Sequence, residues 1–285
     1  MSMVKQSNYR PHLRSLLRAT WAIAMKDWKV YWRYPLNAIS AVLQPIVWLT
    51  PAYFMGRAFS VNGEAHGFAG YSGTTDYMSF ILVGMALSNF IMAVFWGMGY
   101  ALKNDMDAGV MESNWMCPLP RPLLLVGHTF SSIALTTITS LAMLLVAGAL
   151  FGFHISGNVL KAIGALLPML VGLYGFGFAF AALVMVVRES NTMVDVGSFV
   201  TTILSGAQFP VNVLPRWLLP LSLALPMTYG FDLVRGFLLN TRTVLPIPVA
   251  IGILIAMMFV LVPVGLWAFR KLERRVRVMG TLGLH

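Results

Sequence analysis

The sequence predicts an all-α integral membrane fold: six transmembrane helices, an amphipathic interfacial helix before the first, and a re-entrant or external helical segment between spans five and six. Three observations lead there. Hydrophobic residues make up 58% of the 285 and charged residues only 11%, where a soluble domain carries about 25% charged. Apolar runs long enough to cross a bilayer recur along the chain. The basic residues behind the net charge of +10 stand at the ends of those runs, a pattern of membrane orientation and not of nucleic-acid binding. Residues 1–285 are expected to form a single transmembrane domain.

Residues 12–34 come first. Leu13, Leu17, Trp21, Ala24, Trp28, Tyr31 and Trp32 fall on one side of a helix, and Arg14, Arg18, Lys26, Lys29 and Arg33 on the other. Aromatics opposite basic residues suit a helix lying among lipid headgroups. The alternative is a juxtamembrane helix with ordinary positive-inside charges, and either reading places it at the cytoplasmic surface. No short apolar core with a small-residue cleavage site follows the basic stretch from Lys5 to Arg18, so no signal peptide is expected.

A span needs about 20 largely apolar residues. Residues 35–56, 78–102, 122–150, 162–187 and 246–269 satisfy that requirement. Residues 192–210 are weaker and contain Asp195. Orientation decides their status. Lys and Arg are dense before the first span and again after the last, at Arg270, Lys271, Arg274, Arg275 and Arg277. Two cytoplasmic ends require an even number of crossings, so 192–210 is expected to be the sixth. This topology puts 57–77, 151–161 and 211–245 outside, and 103–121 and Arg188-Glu189 inside. Within 211–245, residues 217–226 (WLLPLSLALP) are apolar yet too short to span. Such a stretch is re-entrant or interfacial, with its backbone covered by protein or facing a cavity.

The inner segment 103–121, KNDMDAGVMESNWMCPLPR, is the longest polar interruption on the cytoplasmic side. Asp105 and Asp107 suit the first turn of a short helix, and Pro118 and Pro120 stop it. Met106 and Val110, like Met111 and Trp115, are four apart, which gives that helix an apolar side. It either caps a helical hairpin or docks on a partner.

Two further sets of residues carry a resemblance. Ser205-Gly206, Phe209-Pro210, Leu214-Pro215 and Trp217-Leu218, then Pro226, Thr228-Tyr229, Asp232 and Arg235, resemble the C-terminal signature of ABC-2 type permeases, the membrane subunits of ATP-binding-cassette exporters. Gly109, Glu112 and Pro118, followed by Gly127, resemble that family's pattern between spans two and three. The likeness covers nearly the whole chain. Trp115 and Met116 depart from it, standing where small aliphatic residues are commoner, and so does His128, where Lys is frequent. The resemblance implies a half-transporter that pairs with a second permease, either another copy or a paralogue, around a translocation path. It also implies a separate ABC ATPase subunit beneath each permease. Segment 103–121 would be the coupling helix, with Asp107, Gly109, Val110, Glu112, Trp115 and Pro118 at the contact, and the N-terminal helix would touch the ATPase a second time.

The chain itself has no GxxxxGK[ST] phosphate-cradling loop. ATP and Mg²⁺ are therefore expected in the partner chain, with no cofactor bound here. No catalytic residues are expected either, because the five histidines are scattered without metal-ligand spacing and no serine stands in a nucleophile elbow.

The remaining residues carry paired readings. The stretch from Ser205 to Pro215 either ends a helix with natural breakers or forms an external gate. Asp232 and Arg235, three apart, can pair on one helix face and fix the re-entrant segment. Gln44, Asn89, Thr136, Thr139 and Asp195 are polar groups within spans and so candidates for the transport path. Gln44 and Asn89 could equally tie helices together. Asp195 could pair with Arg188 as a latch. Gly172, Gly175 and Gly177 permit close helix packing.

The function expected is ATP-powered export of a hydrophobic or amphiphilic substrate, drug-like or lipid-like, with a lipid-linked glycan as runner-up. The site is a cell membrane with both termini cytoplasmic. An ion-gradient-driven secondary transporter or channel is the alternative. It predicts inverted repeats and several midplane ionisable residues, and the sequence shows no obvious repeat.

Overall fold

The structure, a computed structural model, describes residues 13–58, 60, 65–107, 121–184 and 190–279. Among these, regular structure is entirely helical. The order is α1 (Leu13–Arg33), α2 (Pro35–Ala58), α3 (His66–Ser72), α4 (Tyr77–Asp107), α5 (Arg121–Phe151), α6 (Val159–Val184), α7 (Ser190–Leu204), a 3₁₀ turn (Val211–Val213), α8 (Leu219–Leu223), α9 (Pro226–Leu239) and α10 (Ile247–Met279).

Five of these helices, α2, α4, α5, α6 and α10, are long and apolar enough to cross a membrane. They coincide with the five strong runs in the sequence. The weak run behaves differently. Helix α7 has 15 residues, about 22 Å at the α-helical rise, against a hydrocarbon core of about 30 Å. It does not continue to residue 210. Gly206 takes a left-handed φ of 72° and its amide donates to the Ile203 carbonyl (3.0 Å), so the helix stops there.

A second difference lies in the inner segment. Residues 103–107 continue α4 instead of opening a new helix. Asp105 and Asp107 therefore fall within a continuous helix and not in the first turn of a new one. Residues 108–120 lie outside the described residues.

Helices α4 and α6 form the interior, while α2, α5 and α10 leave most of their apolar surface exposed, as lipid-facing helices do. The α6–α10 pair is the most extensive contact in the bundle. It depends on small residues: a Cβ on Gly175 would stand 2.8 Å from the backbone of Leu261 and Val262, so only glycine lets the two backbones approach this closely. Near the end of α10, the Lys271 ammonium lies 4.5 Å from the centre of the Trp267 ring, a cation–aromatic pair typical of a membrane–water boundary.

The three segments read as external gather on one side of the bundle. The Gly157 amide donates to the Leu238 carbonyl (2.9 Å), and the Arg242 amide donates to Ser72 (2.8 Å). The His154 amide donates to the Ser79 hydroxyl (3.2 Å). Crossing parity put these segments on a common side, and their hydrogen bonds agree. The 57–77 loop also contains the short helix α3. Asp76 then starts α4 by accepting the Ser79 amide (3.0 Å), an ordinary N-cap bond.

Candidate functional site

Two constellations stand out, one at each end of the bundle. At one end, Arg235 of α9 is buried with 3% exposure. Its Nε donates to the Phe80 carbonyl (3.1 Å), its Nη1 to the Gly206 carbonyl (2.7 Å) and its Nη2 to the Ala207 carbonyl. The guanidinium carbon also lies 3.7 Å from the centre of the Phe80 ring. A buried charge is costly unless it is hydrogen-bonded, and this one is satisfied by three carbonyls and an aromatic face. The arrangement ties α9 to the start of α4 and to the turn that ends α7. Gly84 makes room for it, since a Cβ there would collide with the Ala207 carbonyl and the guanidinium.

The pairing of Asp232 with Arg235 expected from their spacing does not form as a salt bridge. Asp232 instead accepts the Val244 amide (2.8 Å), anchoring the chain that leads into α10. The fixing role foreseen for these two residues is thus split between two targets. Nearby, the Tyr229 hydroxyl donates to the Leu223 carbonyl (2.9 Å). The Ser222 hydroxyl donates to the Leu204 carbonyl (2.5 Å), so α8 closes over the end of α7. Pro210 is buried and precedes the 3₁₀ turn. Phe209 is half-buried, while Pro215 is exposed and Trp217 is 73% exposed.

At the other end, α1 packs against α5. Asp27 Oδ2 stands 2.6 Å from His128 Nδ1 and accepts the Ser131 hydroxyl (3.0 Å). Burial alone would raise the Asp27 carboxyl. The hydrogen bond and charge of His128, the Ser131 hydroxyl and the nearby Lys26 ammonium outweigh it and hold the group below the usual carboxylate range. This junction joins the interfacial helix to the first turns of span three, directly after segment 103–121. Sequence reasoning missed Asp27, although a signal was present: it is the one acid in the basic run 12–34. His128 had drawn notice only as a departure from the family pattern.

The other α1 residues divide by exposure. Trp21, Lys26 and Lys29 are exposed and Trp28 is half-buried against Trp32, with ring centres 5.9 Å apart. Arg18 is exposed at the start of the described side chains. The Arg14 and Asp107 side chains, and all of Gly109, Val110, Glu112, Trp115 and Pro118, lie outside the described residues, as do Arg188 and Glu189.

The polar span residues separate clearly. Asn89 donates to the Ser140 hydroxyl (3.3 Å), which donates to the Ala86 carbonyl (3.1 Å), so Asn89 ties α4 to α5. Gln44 is exposed on α2, and Asp195 is exposed on α7 beside Val196 and Phe199. Thr136 lines a cavity of about 230 Å³ together with Asp27, His128 and Tyr174, a largely apolar space with a few polar groups on its wall. Thr139 lines an apolar groove of about 350 Å³. Among the described residues no cluster of His, Cys, Asp or Glu could hold a metal.

An all-helical bundle with several apolar spans is that of a multi-pass membrane protein. A model of the ABC-2 type transporter family matches residues 18–239, and the chain belongs to that family. Curated relatives agree. The chain is 24% identical over 242 residues to the daunorubicin resistance ABC transporter permease protein DrrB1 of Streptomyces coeruleorubidus, covering 84% of this chain and 81% of that protein. It is 30% identical over 192 residues to nodulation protein J of Sinorhizobium fredii, covering 64% of this chain and 70% of that protein. Proteins of this family are membrane transport subunits and not themselves catalytic, and membership implies an ABC ATPase partner.

Proposed function

We propose that the chain is the permease subunit of an ATP-driven exporter in the cell membrane, moving a hydrophobic or amphiphilic substrate outward. The observation that carries this reading is the family match from the interfacial helix to the end of α9. The drug resistance for which one relative is named favours a drug-like or lipid-like cargo over a small ion. The chemistry is consistent, because the bundle exposes broad apolar surfaces, whereas ion selectivity needs rings of carbonyls or charges. Both termini are cytoplasmic in this reading, and α7 contributes to a sixth crossing. Two permeases pair around the path, with Gln44, Thr136, Thr139 and Asp195 as its polar candidates.

Energy enters from the partner. The segment with Gly109, Val110, Glu112, Trp115 and Pro118 docks on the ATPase, and α1 makes the second contact. When ATP closes the ATPase dimer, the push reaches α5 through the Asp27–His128 junction. On the external side, the turn from Ser205 to Pro215 gates release, and Arg235 holds that turn against α4 and α9.

The test is reconstitution into proteoliposomes with an ABC ATPase subunit that co-purifies with the chain. The expected outcome is ATP-dependent accumulation of an amphiphilic dye in inside-out vesicles, lost when the ATPase is omitted. Transport that persists without the ATPase and follows an imposed ion gradient would support a secondary transporter instead.

A further inference from the structure

We propose that the seam between α1, α2 and α5 binds a single-chain cationic amphiphile from the inner leaflet. Its amine sits in the cavity beside Asp27, and its hydrocarbon chain lies in the apolar groove beyond Leu135. This narrows the substrate class given above and rests on that reading for its role in transport, though not for binding itself.

The Asp27 cavity is roofed by α1 and walled by α4, α5 and α6. Tyr174 is 5% exposed. Its hydroxyl has no hydrogen-bond partner of sound geometry, with only a weak approach to Ser132, and the buried Thr129 hydroxyl has none. Leaving such groups unmet in a bilayer protein is costly, so a guest that bonds to them is favoured. The charge of the guest follows from Asp27. His128 and Ser131 occupy Oδ2. Oδ1 has only the ammonium of Lys26 at 3.9 Å, on a side chain that is 64% exposed, and a contact of that kind contributes little. A carboxylate oxygen and several hydroxyls therefore face one space. An alkylammonium brings three donors and a positive charge to that set of acceptors, whereas the phosphate of an ordinary phospholipid would meet Asp27 as a like charge.

The tail has a place as well. The apolar groove is lined by Tyr31, Val42, Leu43, Ile138 and Val146, and it shares Leu135 with the Asp27 cavity. Asp27 and Tyr31 are four residues apart on α1, so both cavities open on one helix face. Along α5, lining residues run from His128 to Val146, about 27 Å at the helical rise. The lining holds its few polar groups near the His128 end and is almost wholly apolar farther along. A molecule with its head at the boundary and its chain toward the midplane matches that gradient, in the orientation an inner-leaflet amphiphile already has. A lipid tail alone would fill the groove but leave the hydroxyls of the Asp27 cavity unmet.

The experiment uses the full chain in phosphatidylcholine nanodiscs, without any ATPase, and a dodecylamine probe carrying a diazirine on its chain. Crosslinks mapped by mass spectrometry are expected to concentrate in residues 31–43 and 135–146. Dodecylamine should compete about tenfold better than dodecanol or dodecanoate, the ratio a charge-assisted bond supplies. Asp27→Asn, which keeps an acceptor for His128 and Ser131, should weaken labelling about tenfold. Tyr174→Phe, which removes only the hydroxyl, should weaken it severalfold, and Arg216→Ala should not change it. Labelling spread over the exposed face of α10, or equal competition by dodecanol, overturns the proposal. So does labelling indifferent to Asp27→Asn and Tyr174→Phe. Intact labelling with no ATP-driven export would sink the exporter reading and leave this site standing, whereas export without this labelling does the reverse.

Discussion

Arg235 shows what one side chain can fix. Its three hydrogen bonds reach carbonyls of Phe80, Gly206 and Ala207, which belong to two other parts of the chain. No other side chain offers a planar fork of donors suited to this task. Arg235→Met keeps the bulk but strands those carbonyls, so a loss on the order of 3 kcal/mol is expected. Thermal unfolding of the detergent-solubilised protein reads it as a lower Tm. Arg235→Lys should fall between, since an ammonium at the end of a flexible stem cannot meet all three acceptors at once. Gly84→Ala should destabilise by a similar amount through the collision of its Cβ with the same group. A melting curve unmoved by Arg235→Met and Gly84→Ala would show that the turn after α7 holds without the tie.

At the scale of elements, the uneven success of sequence reading has physical causes. The five long spans were legible because a bilayer demands about 20 apolar residues in a row, and α2, α4, α5, α6 and α10 meet that demand. Helix α7 was legible only in part: the breakers from Ser205 onward offered a helix end, but the span was still drawn to residue 210, whereas Gly206 turns left-handed and stops the helix earlier. The Asp232–Arg235 pair looked like an i,i+3 bridge, yet each side chain found tertiary partners that no spacing announces. Thr136 and Thr139 were singled out for their polarity, and both line cavities. Asp27 escaped because a lone acid among bases reads as surface charge until α5 is packed beside it.

The segment after α4 carries the corresponding functional expectation. Glu112→Arg and Val110→Asp should leave the protein in the membrane yet uncouple ATP hydrolysis from transport, the first by reversing charge and the second by placing charge on an apolar side. ATPase turnover and dye uptake measured in the same proteoliposomes separate the two effects. Unchanged coupling in both variants would return that segment to the role of a hairpin cap.

For the whole molecule, the decisive quantity is the parity of crossings. Five helices reach spanning length among the described residues, and five crossings would leave the two basic ends on opposite sides. The positive-inside tendency opposes that, since Arg and Lys cluster both before α2 and after the apolar part of α10. The hydrogen bonds that gather residues near Ser72, Gly157 and Leu238 fix which connections share a side. Because α6 leads away from Gly157 and Leu238 lies back beside it, α7 and the chain after it make the return. The native Cys117, the single cysteine of the chain, makes parity measurable. In inverted membrane vesicles, a membrane-impermeant maleimide is expected to label Cys117. In a Cys117→Ser background it should also label Arg277→Cys, but Trp217→Cys only in right-side-out vesicles. Labelling of Arg277→Cys from the outside, with Trp217→Cys labelled only in inverted vesicles, would mean that α7 does not complete a crossing, and that the chain traverses the membrane an odd number of times.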